Sequence, residues 1–314
     1  MGTRKIMQEK NIQHVSVQQR IIKASVKTVT YAFLLLMALI VLFPFYWMII
    51  SSLKTLDEYR MSVPTFWPKT VMFSNYAEAF NTANLGLLFK NTMIVGIIST
   101  LLSLVITVLS AFAFARLEFK GKDLMFTALL ATMMIPGELF TITNYSTVNN
   151  FLGLVTLGKE LGLDWMVEMG DWTNSFHVLI VPFLVSVFYI YLLRQNFMQI
   201  PNELYLAAKV DGTSDIKYLW KVMVPLALPT LISITILKMM GAWNSYIWPR
   251  LVANDEAYRL ITNGLRNAFT DTVGDVNYPV QMAAVAIVSA PLFLVFLFLR
   301  KYIMSGVSRS GIKG

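Results

Sequence analysis

No cysteine occurs in these 314 residues, so disulfides and thiolate metal sites are excluded. Histidine is almost as scarce, with only His14 and His177. Charged residues make up 14 % of the chain, against about 25 % in a typical soluble domain. The acids Asp164, Glu168 and Asp171 are scattered, with no positioned histidine or nucleophile beside them, so no hydrolytic constellation forms. Gly153 to Lys159 imitates a phosphate-binding loop, but it lacks the closing Ser/Thr and follows no strand. Asn144-Tyr145-Ser146 fits a glycosylation sequon and carries little weight. What the chain does have is apolar mass, since 56 % of its residues are hydrophobic.

That mass is organised in runs. A bilayer core about 30 Å thick needs about 20 apolar residues in helical form. Six stretches qualify: 29–53, 91–115, 123–143, 176–197, 225–248 and 281–299. Backbone amides in lipid must be satisfied within the segment, so each is expected to be a helix. The fold class is therefore all-α, a polytopic membrane protein with six transmembrane helices. The third run is interrupted by Pro136-Gly137 and followed by Glu138. The first is read as a span and not as a cleaved signal, because it is long and lacks a small-x-small site. Eighteen methionines, mostly within the runs, read as packing residues.

Charge orients the runs, because Lys and Arg concentrate on the cytoplasmic side. The N-terminal tail carries Arg4, Lys5, Lys10, Arg20, Lys23 and Lys27. Arg116, Lys120 and Lys122 follow the second run, and Lys209, Lys217 and Lys221 follow the fourth. The 144–175 connection opposite has Lys159 alone. Both termini and the 201–224 segment are thus expected to be cytoplasmic in a cell (inner) membrane. On this topology His14 and His177 lie on opposite faces and cannot share a metal. The net charge of +8 reads as this inner excess plus attraction to anionic lipid. No folded basic surface for nucleic acid is built.

The expected organisation is a cytoplasmic tail (1–28, helix or disordered), a first span (29–53), an outer loop (54–86), a core (87–300) and a cytoplasmic C-terminal tail (301–314). The VPTFWP stretch suggests an irregular loop near the interface. Residues 158–172 suggest one short amphipathic helix and a turn, and 249–280 a short helix before the polar DTVGDVNYP loop.

The most informative segment is 201–229, PNELYLAAKVDGTSDIKYLWKVMVPLALP, a charged stretch between two apolar runs. It reads as two short helices joined at a glycine. The first would run from Glu203 to Val210, with Leu204, Ala207 and Ala208 on one face. Asp211-Gly212 would end it, because glycine takes the left-handed conformation without steric cost. Thr213 or Ser214 would cap the second helix, and Pro225 would bend the chain. Read blandly, it is an ordinary loop, but loops in bundles are usually shorter.

These residues resemble the cytoplasmic coupling loop of binding-protein-dependent ABC importer permeases. That signature is Glu-Ala-Ala, three residues, Gly, nine residues, Ile, any residue, Leu-Pro. Ala207, Ala208 and Gly212 fit it, and Val222, Val224 and Pro225 match its close. The flanking Ile200 to Leu204, Leu193-Arg194-Gln195, Ile135 to Glu138 and Trp243-Asn244 look like the sugar-transporting, MalG-like branch. The likeness covers residues 87–300. One departure is plain: Leu206 stands where the family usually has Glu. The resemblance implies a type I ABC importer permease-like bundle, a transport subunit that is not itself an enzyme and needs no cofactor or metal. It also implies a second homologous permease, two cytoplasmic ATPase subunits and an extracytoplasmic solute-binding protein, with a sugar or oligosaccharide as substrate. Glu203, Leu204, Leu206, Ala207, Ala208, Asp211 and Gly212 would form the ATPase-coupling loop. An amino-acid or peptide permease of the same superfamily is the alternative. A secondary transporter, which would need mid-span carboxylates, finds only Glu138.

Lys238 is the most unusual single residue, a cation in the fifth run, where it costs roughly 3 kcal/mol unless partnered. It must face a cavity or a partner. Two readings stand: a contact for substrate, such as an anionic sugar group, or a pair with a companion subunit. Trp243, Asn244 and Tyr246 follow it, and with Glu138 they complete the translocation-pathway candidates. Trp248 reads as a ring of the interfacial belt.

Overall fold

The computed structural model describes the backbone of residues 2–270 and 276–308 and the side chains of 22–269 and 276–300. Among the described residues the regular structure is helical, with no strand. The chain forms two compact units, one comprising the residues up to Tyr76 with Asn277–Ala286, the other the rest from Ala77. The C-terminal residues 309–314 and most of the DTVGDVNYP stretch (271–275) lie outside the described residues.

In the first unit, α1 (Gly2–Ser52) runs unbroken from the N-terminal tail through the first apolar run. The tail is therefore helical in its described part, and the apolar stretch Ile22–Ser52 is long enough to cross a membrane. Only 6 % of its most apolar window is buried within the chain, so its face is free for lipid or another subunit. After it, α2 (Leu56–Tyr59) begins with Thr55, whose hydroxyl accepts from the Glu58 amide at 3.2 Å. Glu58 ties the following loop: the Thr65 hydroxyl donates to it at 2.6 Å and the Lys69 amide at 3.0 Å. Lys54 donates to the Thr65 carbonyl and lies over the Trp47 ring at 4.7 Å. The expected irregular loop is thus internally braced. It leads into α3 (Ser74–Thr82), where Asn75 donates to the carbonyls of Ser52 and Lys54 at 2.9 and 2.8 Å.

The second unit is built on α4 (Leu85–Arg116), whose apolar window is 44 % buried. Small and hydroxyl side chains (Gly96, Ser99, Thr100, Ser103, Ala111) let its neighbours approach. Then come α5 (Lys122–Thr132), α6 (Phe140–Asn149), α7 (Leu154–Leu161) and α8 (Asp164–Gly170), followed by α9 (Phe176–Ile180) and α10 (Val187–Met198). The hairpin supplies α11 (Asn202–Val210) and α12 (Asp215–Tyr218), continued by a wide π turn (Leu219–Met223) and α13 (Val224–Leu226). The remaining elements are α14 (Leu228–Asn244), α15 (Ile247–Val252), α16 (Ile261–Thr270) and α17 (Tyr278–Ser308), whose residues up to Ala286 belong to the first unit. One core joins Val108 and Phe112 of α4 to Leu193 and Phe197 of α10, and to Tyr218, Leu219 and Met223 of the hairpin.

Among the described residues three helices are long and apolar enough to span, or up to six if each bent pair counts as one. The third, fourth and fifth runs are therefore not straight helices as expected. The third breaks by 78° between Thr132 and Gly137, because Pro136 lacks an amide and drives Ile135 out of the helical region. The fourth bends 44° after Phe183, where the Ser186 hydroxyl caps α10 by accepting from the Tyr189 amide. The fifth turns 79° at Ala227, between Pro225 and Pro229. Its straight part also stops at Asn244, four residues short of expectation. The single amphipathic helix expected in 158–172 is instead parts of two, α7 and α8, with Gly158 against Met166.

Candidate functional site

The hairpin stands on a braced base. Arg116, at the end of α4, donates to the carbonyls of Phe197 and Ile200 at 2.9 and 2.5 Å. Arg194 of α10 donates back to the Phe114 carbonyl at 3.0 Å and covers the Phe126 ring at 4.0 Å. Each guanidinium caps the end of the other's helix, where unpaired carbonyls favour a cation.

From that base α11 runs through Glu203 and Leu206 to Val210, all exposed, and closes in a Schellman turn. The Thr213 amide donates to the Ala208 carbonyl at 2.8 Å, and the Gly212 amide to that of Lys209 at 3.1 Å. Gly212 has φ +68° with open space around it, so glycine is needed there for its backbone and not for room. The cap expected from Thr213 or Ser214 is not made. Ser214 holds the capping position without a side-chain bond, because Asp215 organises the junction. Its Oδ1 accepts from the Tyr205 hydroxyl at 2.8 Å and pairs with Lys209 Nζ at 2.6 Å. The hydrogen bond to Asp215 holds the Lys209 ammonium above its usual pKa. Burial, then the Asp215 carboxylate, raises the Tyr205 phenol. This clamp between the two hairpin helices was not anticipated. A Lys and an Asp six residues apart across a glycine turn are its only sequence signal.

Leu204, Ala207, Ala208 and Asp211 line a groove of ≈ 280 Å³ with Tyr218 and Lys221. The expected small-residue face is therefore one surface. Glu203 and Leu206 do not line it. The Tyr218 hydroxyl is buried there without a hydrogen-bond partner among the described residues.

A second concavity, ≈ 380 Å³, lies among α4, the α9–α10 bend and α14. Lys238 lines it with Ser99, Ser186, Tyr189, Ser245 and Trp248, and its ammonium donates to the Phe183 carbonyl. Lys238 thus faces a cavity. The other pathway candidates lie elsewhere. Trp243 is buried against Phe89, ring centroids 5.6 Å apart, and its indole N–H has no hydrogen-bond partner among the described residues. Asn244 donates to the Met240 carbonyl of its own helix at 2.9 Å. Glu138 is exposed in the turn after Pro136. The Tyr246 hydroxyl accepts from Arg250 at 2.7 Å and from Arg266. Burial works to raise that phenol, but the two guanidiniums outweigh it and hold it below its usual value. Trp248 corrects the belt expectation: it is 6 % exposed and its indole donates to the Val178 carbonyl at 2.9 Å. The serines went unnoticed because a serine in an apolar run looks the same whether it faces a neighbouring helix or a cavity.

A family model described as binding-protein-dependent transport system inner membrane component matches residues 16–309. The diacetylchitobiose uptake system permease protein NgcG of Streptomyces coelicolor is 28 % identical, over 90 % of this chain and 87 % of its own length. The trehalose/maltose transport system permease protein MalG of Thermococcus litoralis is 30 % identical, over 89 % and 94 %. A solved bacterial ABC transporter involved in the import of the acidic polysaccharide alginate has a chain with the same fold, TM-score 0.71 at 22 % identity, covering 87 % of this chain and 95 % of that one.

Proposed function

The chain belongs to the family of inner membrane components of binding-protein-dependent transport systems, and from that premise we propose that it is the permease half of an ATP-driven importer for a sugar or oligosaccharide. The observation that carries the reading is the stiff hairpin: a Schellman turn at Gly212, a Tyr205–Asp215–Lys209 clamp and a small-residue groove, on a base braced by Arg116 and Arg194. The sugar class is supported by the relatives, whose names specify diacetylchitobiose and trehalose/maltose.

In this reading the termini and hairpin face the cytoplasm. Two separate ATPase subunits burn the nucleotide, a second permease completes the pathway, and an extracytoplasmic binding protein delivers the sugar. The ATPase inserts into the Leu204–Ala207–Ala208 groove. Closure of the ATPase dimer draws the hairpins together, and the bundles rock between inward- and outward-facing forms. A clamped hairpin transmits that displacement, whereas a loose one would dissipate it. Leu206 replaces a charged contact with an apolar one.

Gly212→Val tests the reading. A β-branched residue at positive φ costs roughly 1–2 kcal/mol locally or more, enough to unmake the turn without unfolding the bundle. ATP-dependent uptake should vanish while the protein remains in the membrane. Unimpaired uptake in that variant would sink coupling through the hairpin.

A further inference from the structure

We propose that the cavity beside Lys238 receives a negatively charged group of the carried sugar, a carboxylate, sulfate or phosphate, so that the substrate class is acidic saccharides. The inference rests on the importer reading above and adds the charge of its cargo.

The lining carries one cation and no negative charge to balance it. Its polar residues besides Lys238 are Ser99, Ser186, Tyr189 and Ser245, and no carboxylate lines it. Sites for neutral sugars need acceptors for hydroxyl protons, and carboxylates are the strongest acceptors a side chain offers. An ammonium carries three donors, and Lys238 gives one to the Phe183 carbonyl. It forms no ion pair among the described residues. A cation held in an apolar segment costs roughly 3 kcal/mol, and a single carbonyl offsets little of that, so the remaining donors await an anion.

The same sign continues along the chain from the cavity wall. Ser245 and Pro249 line the cavity, and their sequence neighbours are Tyr246 and Arg250. There two guanidiniums, Arg250 and Arg266, converge on one phenol oxygen. Arg250 makes no ion pair among the described residues and is exposed. An acidic saccharide would meet the exposed Arg250 guanidinium at this segment and the Lys238 ammonium in the cavity, which lowers its desolvation cost.

The test uses the complete importer, this chain with its companion permease and ATPases, in lipid nanodiscs. Isothermal titration compares digalacturonate with neutral galactobiose, a disaccharide of similar size. Digalacturonate should bind about tenfold tighter, the worth of one charge-assisted hydrogen bond. Lys238→Gln should weaken digalacturonate about tenfold more than galactobiose, and Lys238→Arg should retain most of the preference. Equal affinities, no binding of the acid, or equal weakening of both sugars by Lys238→Gln overturns the inference. Loss of subunit assembly in that variant overturns it too, because Lys238 then pairs with the companion permease. ATP-driven uptake of neutral sugars and not of acidic ones by the same complex leaves the importer reading standing while the charge inference falls. Absence of ATP-driven uptake of either sugar class counts against the importer itself.

Discussion

Glu58 and Gly264 show how single positions are fixed by what surrounds them. Burial alone would raise the Glu58 carboxyl, but the Thr65 hydroxyl, the Lys69 amide and the Lys54 and Lys69 charges outweigh it and hold it below the usual carboxylate range. A depressed carboxyl stabilises the fold above its unfolded pKa, and that contribution is lost as pH falls through the folded one. Acidification through and below the ordinary carboxylate range should therefore release the 61–70 loop first. Hydrogen exchange at the Lys69 amide, normalised to its intrinsic rate, should report lost protection while α4 stays protected. Glu58→Gln should show the same loosening at neutral pH, at a cost of about 1–3 kcal/mol. Gly264 is fixed by space: a Cβ there would stand 2.3 Å from Leu88 Cδ2 and 2.7 Å from Leu88 Cδ1. Gly264→Ala should push α16 off α4 and cost about 1–3 kcal/mol by overpacking, seen as a lower melting temperature of the purified protein. An unchanged melting temperature would mean that Leu88 moves aside freely.

Elements show where local rules were overridden. The α11 helix and its stop at Gly212 follow from residue order alone, since glycine after a run of helix formers makes the turn without help. The junction to α12 does not, because Ser214 was free to cap until Lys209 and Tyr205 captured Asp215 from the preceding helix. Asp215→Asn should keep the Tyr205 contact but lose the ion pair, which is solvent-exposed and therefore weak. The fold should survive, exchange of the α11 amides should quicken, and uptake should fall in proportion. Rapid α11 exchange with undiminished uptake would show that hairpin stiffness is not what couples the subunits. The broken third and fifth runs belong to this scale too. Pro136 advertised its break and Pro225 the bend that follows it, while the packing of Met223, Ala227 and Leu231 into the core beside α4 and α10 goes with the full 79° turn at Ala227.

At the scale of the whole molecule, the lack of cysteine makes topology directly measurable. Single cysteines placed at Glu203 and Asp255, both exposed, should behave oppositely toward a membrane-impermeant maleimide. Position 255 should label in intact cells and position 203 only after permeabilisation. The reverse pattern would place the hairpin outside and end the coupling argument. The apolar runs, the coupling-loop pattern and the isolated cation at 238 were legible in residue order, because hydropathy, charge asymmetry and a glycine turn are properties of short stretches. How sharply the helices bend, that Trp248 is a hydrogen-bonded core residue, and that Ser99, Ser186 and Ser245 share a cavity with Lys238 were settled only in three dimensions. An apolar stretch has the same composition whether straight or folded on itself, and a polar side chain gains its role from atoms that lie far away along the chain.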